Sequence, residues 1–225
     1  MTEWWTYRLS NFLLFSPRTY FRLHELYNVE VWPVQLAGLV IGAVIMAMAF
    51  RAHSGRAVAG LLAVTWLFVA FAYHLRRYAT INWAATYFAA AFAVQAILLL
   101  WTGTVRHRLV FASPGRARQR IGFLLLLFGV FVQPAVALLA GRSLLQSEYF
   151  GVAPDPTVTG TLGVLLLANR SPWKLWIVPL LWCGVSAAFQ SMMQSPEALI
   201  LPVVGVIAVA CAIAGRRPAE HARAT

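Results

Sequence analysis

The chain has 225 residues, 60% of them hydrophobic and 11% charged, with a net charge of +11. A soluble domain carries about a quarter charged residues, so apolar surface on this scale needs lipid to cover it. A water-soluble fold is excluded, and the length suits one helical bundle without a separate soluble domain.

The first residues, Met1-Thr2-Glu3-Trp4-Trp5, lack the basic start, apolar core and small-residue cleavage site of a signal peptide, so the first span is expected to be retained. Ser16-Pro17 is a helix start, with serine as cap and proline at the first helical position. Tyr20, Leu23, Tyr27 and Val31 then recur at helical spacing, opposite Arg18, Arg22 and Glu25. Two readings fit residues 1–31: an amphipathic helix in the membrane interface, with Trp4, Trp5 and Trp32 at headgroup depth, or a solvated helix packed on the bundle.

Seven apolar segments follow, at residues 33–50, 57–74, 81–101, 121–140, 157–169, 173–189 and 198–215. Six are near the roughly 20 residues that cross about 30 Å of hydrocarbon. The fifth reaches only about 20 Å as a helix, and Pro154-Asp155-Pro156 stops it from extending backwards. Charge decides whether it crosses. With all seven crossing and the N-terminus outside, the inner loops and tail hold Arg51, Arg56, Arg106, Arg108, Arg116, Arg118, Arg120, Arg170, Lys174, Arg216, Arg217 and Arg223. That is twelve of the eighteen basic residues, leaving six outside, and of the seven acids only Glu220 is inside. Without the fifth crossing the split falls to seven against eleven, so seven spans are expected. The sequence therefore predicts an all-α polytopic transmembrane bundle over residues 32–215, preceded by segment 1–31 and followed by a basic cytoplasmic tail, 216–225.

Most chemistries are disfavoured. The basic residues sit at loop ends beside lipid-buried spans, which points to anionic headgroups rather than nucleic acid. Retinal needs a lysine in the seventh span, and the one lysine, Lys174, opens the sixth. Two-histidine haem needs both ligands inside spans, but His24, His53, His107 and His221 are in loops or tails and His74 is at a span end. Asp155 is the sole aspartate and the glutamates are scattered, so no metal or other cofactor is expected. Ser186 and Ser191 lack a neighbouring histidine or lysine for a hydrolase, and Cys183 and Cys211 read as buried small hydrophobes. An enzyme acting on lipid or quinone is disfavoured by the same scarcity of acid–base groups.

What remains is a polar set in the outer half of the bilayer: His74, Asn82, Gln133, Asp155 and Thr157, with Arg76 or Arg77 at its mouth to pair with Asp155 or attract an anion. Each needs a partner or water in hydrocarbon. Asp155 also reads as the N-cap of the short helix, with Pro156 in its first turn. Gln95 and Gln133 read by default as interhelical hydrogen-bonders. The run from Arg106 to Arg120 reads as a positive-inside anchor, or as a cytoplasmic docking patch. The leading functional expectation is a small-solute permease or channel with an outer-half polar cavity. The alternative is a non-catalytic membrane anchor or assembly subunit with a protein partner or second copy.

Several stretches carry a resemblance. They are Trp4-Trp5-Thr6-Tyr7, Phe12-Leu13-Leu14-Phe15-Ser16-Pro17-Arg18-Thr19-Tyr20, Glu25-Leu26-Tyr27-Asn28, Tyr78-Ala79-Thr80-Ile81-Asn82-Trp83-Ala84-Ala85 and Pro154-Asp155-Pro156-Thr157. Together they resemble an uncharacterised bacterial family of multipass membrane proteins, of the domain of unknown function 6064 type. That resemblance implies a helical fold and a bacterial cytoplasmic membrane location, and no activity.

Overall fold

The computed structural model describes residues 15–51, 53–111, 115–169 and 171–214, with the side chain of Arg116 left aside. Trp4, Trp5, Arg170 and the basic tail lie outside the described residues. The fold is all-α. Its helices are α1 (Pro17–Glu30), α2 (Val34–Met48), α3 (Gly55–Phe68), α4 (Ala85–Leu99), α5 (Arg116–Leu127), α6 (Gln133–Leu139), α7 (Pro154–Leu167), α8 (Lys174–Met192) and α9 (Ile200–Ala214).

Wider π turns prolong α3 over Val69–Leu75 and α4 over Leu100–Val105, and join α5 to α6 over Phe128–Val132. The last has a direct cause. Pro134 offers no N–H, and its ring crowds the carbonyl four residues back. The preceding turn widens, so the Gln133 N–H reaches back to Phe128 O.

All seven expected apolar segments contain a helix. Five continuous helices are long and apolar enough to cross a membrane: Gly55–Thr80, Ala85–Val105, Ala117–Leu139, Lys174–Met192 and Pro196–Ala214. A sixth is reached if α1 and α2, bent 86° from one another, count as one. With 14 residues, α7 is short of that length. It covers about 21 Å of the roughly 30 Å of hydrocarbon.

At the N-terminal end of α7 the missing length is made up by protein. The Ser16 hydroxyl accepts from the Thr19 N–H at 3.2 Å and Pro17 opens α1, as the sequence predicts. The buried face of α1 comprises Tyr20, Leu23, His24, Tyr27 and Asn28, while Arg18 and Arg22 are exposed. This face roofs the segment that leads into α7. Tyr27 donates to Val152 O at 3.0 Å, and Asn28 Nδ2 donates to the carbonyls of Leu145 and Ser147 at 2.8 Å each. The helix packs on the bundle through this face, while Leu26 and Val29 on its other side are exposed.

Every residue of α7 is buried, and α3, α5, α8 and α9 pack around it. A helix apolar on all sides belongs inside a bundle. Its threonines are compatible with that because Thr157, Thr159 and Thr161 donate to the carbonyls of Ala153, Asp155 and Thr157, at 2.7, 2.9 and 2.7 Å. Its last carbonyls have no water to turn to, and Arg118 Nη2 meets Ala168 O at 2.8 Å and Leu165 O at 3.3 Å. A cation there also suits the negative end of the helix dipole.

The α5–α7 contact is backbone against backbone. A Cβ on Gly163 would lie 2.6 Å from Leu126 N and 2.7 Å from Gly122 O. Gly163→Ala should therefore push the helices apart and destabilise the fold by about 1–3 kcal/mol. Gly184, in α8, has nothing within 4 Å of its Cβ position, and Gly184→Ala should instead gain up to about 1 kcal/mol from helix propensity. Thermal unfolding of both variants in detergent checks this, and a Gly163→Ala protein as stable as wild type would contradict the close approach.

Candidate functional site

The turn into α7 fixes the site. Gly151 adopts φ +75°, and its N–H donates to Thr157 Oγ1 at 2.8 Å while that hydroxyl donates to Ala153 O. The helix starts on Pro154 after an extended Ala153, with no side-chain cap. Asp155 is thus not the N-cap that its proline neighbours suggest; it sits inside the first turn, with its carboxylate free to point sideways. Trp182 Nε1 donates to Oδ1 at 2.7 Å and Ser186 Oγ donates to Oδ2 at 2.6 Å. These donors are four residues apart on α8 and so share one face.

Two small cavities flank this carboxylate. The first, about 20 Å³, is lined by Gln133, Arg142, Ser147, Glu148, Asp155 and Glu197 among others. The second, about 10 Å³, lies among Tyr20, Tyr73, Tyr78, Trp182 and Gln190. The first has room for one water. Gln133 Oε1, Ser147 Oγ and Glu148 Oε2 line it as buried polar atoms without a protein partner, and a water there has acceptors and a donor to bridge.

Three carboxylates therefore share one enclosure with one guanidinium. Arg142 pairs with Glu197 and stacks 4.0 Å from the Phe21 ring centroid. Glu148 Oε1 accepts from Tyr20 at 3.2 Å and lies 3.7 Å from His24 Nε2. Burial, with the charges of Asp155 and Glu197, pushes the Glu148 carboxyl well above the usual range. Burial, with Arg142, pushes His24 down to about 3. Both shifts favour the neutral forms of His24 and Glu148. Tyr73, 3.0 Å from His24 Nε2 and 3.5 Å from Tyr20 OH, extends the polar chain away from the cavity.

The residues singled out in the sequence are dispersed. Gln133 and Asp155 share the first cavity. Thr157 locks the turn. Asn82 accepts the Ala84 N–H at 3.0 Å in a local turn. His74 is fully buried, its ring centroid 4.6 Å from Phe92 and 5.1 Å from Trp182, with both nitrogens lacking a polar partner. It backs the tryptophan that holds Asp155. Neither arginine meets Asp155: Arg77 pairs with Glu30, and Arg76 sits 5.9 Å above the Phe71 ring. The cation of this enclosure is Arg142. Gln95 does bond between helices, donating to Leu175 O at 2.9 Å. Glu148, Glu197, Arg142, Tyr20, Trp182 and Ser186 were not foreseen. Among the described residues, no three His, Cys, Asp or Glu side chains are grouped to hold a metal ion.

Residues 18–223 match a family model described as a family of unknown function (DUF6064). The chain belongs to this family. No curated protein and no solved structure matches it. The DUF6064 match begins within α1 and continues beyond α9, so the roof, the buried helix and the carboxylates all lie within the family's unit.

The enclosure predicts a pH profile. Burial raises the Glu148 pKa well above its free value of 4.5, so its contribution is full below that value and is lost as pH rises through the folded pKa. His24 works oppositely: its contribution is present above 6.5 and lost as pH falls toward about 3. Above pH 6.5 only the Glu148 slope remains from this pair. Melting temperatures of the wild type should fall with rising pH there, and Glu148→Gln should flatten that fall. Parallel curves for the two proteins would mean that Glu148 is ionised in the fold.

Proposed function

We propose that this protein carries a small polar solute across a bacterial cytoplasmic membrane together with a proton held by Glu148, Asp155 and Glu197. The observation that carries the reading is the three carboxylates sharing one enclosure in which Arg142 is the one cation among the described residues. Ionising all three would leave a net negative charge in a low-dielectric interior, which costs more than keeping a proton. Ionisable groups inside a helical membrane bundle mark proton or solute pathways.

The cavity admits a water and not a solute, so carriage requires the α1 roof to lift. Its seat on the site combines the buried Tyr20, Leu23 and Tyr27 with side-chain hydrogen bonds, among them Tyr20 to Glu148, which ties the roof to the proton. The proposed orientation puts this roof and the N-terminus outside. Among the described residues, the end of the bundle that bears α1 carries the cations Arg18, Arg22, Arg76, Arg77 and Arg142, and the opposite end carries the larger set Arg51, Arg56, Arg106, Arg108, Arg118, Arg120 and Lys174. The closed, water-sized cavity also favours a second reading, in which the protein is a non-transporting anchor or assembly subunit.

Proteoliposomes with an internal pH dye and an inside-negative potential test the first reading against a panel of sugars, amino acids and organic acids. At least one solute should drive proton uptake above protein-free liposomes, and Asp155→Asn should reduce it about tenfold or more. In a chain with Cys183→Ala and Cys211→Ala, Gln133→Cys should react with a membrane-impermeant maleimide added outside. No solute-driven uptake together with an unreactive Gln133→Cys would leave the anchor reading.

A further inference from the structure

The opposite end of the bundle holds an open groove of about 960 Å³. Arg106, His107 and Arg108 line one wall and Lys174 another, with Arg118 at the end of α7. Among the described residues, no carboxylate lines it. This contrasts with the roofed end, where the described ion pairs Arg22–Glu25, Arg77–Glu30 and Arg142–Glu197 all lie. Cations gathered in a concavity without carboxylates repel one another until an anion from outside joins them.

The groove is built rather than incidental. Its basic loop is pinned on both sides: Arg108 N–H donates to Thr102 O at 2.9 Å, and Asn169 N–H donates to Val110 O at 2.8 Å. Leu109 and Phe111 are buried as anchors beneath it, and Leu109 O lies so close to Gly55 that a Cβ there would be 1.9 Å away. The turn places His107 at φ +51°. Indoles frame the opening. Trp101 carries the Arg106 guanidinium 4.9 Å from its ring centroid, Trp173 is 64% exposed, and Trp176 is held from within by Ser171 Oγ at 3.1 Å. Tryptophans favour headgroup depth, and a fork of arginine beside a lysine suits phosphate oxygens.

We propose that this groove binds a phosphate ester, either the headgroup of an anionic phospholipid or a soluble phosphorylated molecule. Guanidinium and ammonium groups from the 106–108 loop and Lys174 take the phosphate, while Trp101 and Trp173 pack against whatever the ester carries. A positive-inside anchor needs only scattered charge; here the charge converges on one fixed concavity.

Isothermal titration of the full chain in non-ionic detergent tests this with short-chain phosphatidylglycerol, glycerol 3-phosphate and short-chain phosphatidylcholine. Phosphatidylglycerol or glycerol 3-phosphate should bind, and phosphatidylcholine should bind at least about tenfold more weakly. Arg108→Gln and Lys174→Gln, singly and together, should weaken binding, the pair by about tenfold or more. Both side chains are exposed, so the melting temperature should hold. Arg51→Gln, an exposed cation outside the groove, should bind as wild type does. Binding of the lipid alone identifies a headgroup site, and binding of both anions a site for the ester itself. No binding of either anion, an unaffected double variant, or equal weakening by Arg51→Gln overturns the proposal.

Discussion

A helix wholly enclosed by protein must find partners for its unpaired backbone groups without water, and α7 is such a helix. Both of its ends lie inside the molecule, so the donors at one terminus and the acceptors at the other need protein. At the start, the Gly151–Thr157–Ala153 interlock closes the turn without a capping side chain. At the finish, Arg118 reaches in from α5 to the last carbonyls. These two solutions place the two candidate sites. The first leaves the Asp155 carboxylate unspent on capping and open to Trp182 and Ser186, and the second draws a cation to the floor of the basic groove.

The charges follow the same axis. Carboxylates collect where the helix presents its positive end and arginine where it presents its negative end, the arrangement the peptide dipoles favour. The loops amplify it, with acids concentrated beneath α1 and cations where α4, α5 and α8 meet. One end is therefore closed by internal ion pairs, and the other opens onto a groove that cations line.

Local signals were legible in the sequence and long-range partnerships were not. Ser16-Pro17 specifies the start of α1 because cap and proline act within one turn. The apolar segments specify the bundle because lipid imposes their length. Pro134 accounts for the widened turn before it, whereas the π turns that end α3 and α4 have no comparable proline. Asp155 stood out as the sole aspartate, but Pro154-Asp155-Pro156 is compatible with a helix starting on either proline, and the choice rests with Thr157 and Gly151. Arg77 and Arg142 look alike as outer cations. Which one reaches the carboxylates depends on how Phe21 and Glu197 pack around Arg142, and Glu30 claims Arg77. Ser186, considered only as a nucleophile and set aside for want of a base, is a hydrogen-bond donor. Arg118 read as one anchor among many because nothing nearby in sequence shows that α7 ends against it.

Glycine contacts between α5 and α7 run along the whole pair, from Gly122 against Gly163 to Gly129 against Gly160. Side chains that interdigitate can slide by changing rotamer; two backbones in direct contact have no such slack. The two helices therefore have no room to draw closer, and this close-packed pair spans the distance from Gln133 and Asp155 at one extremity to Arg118 at the other.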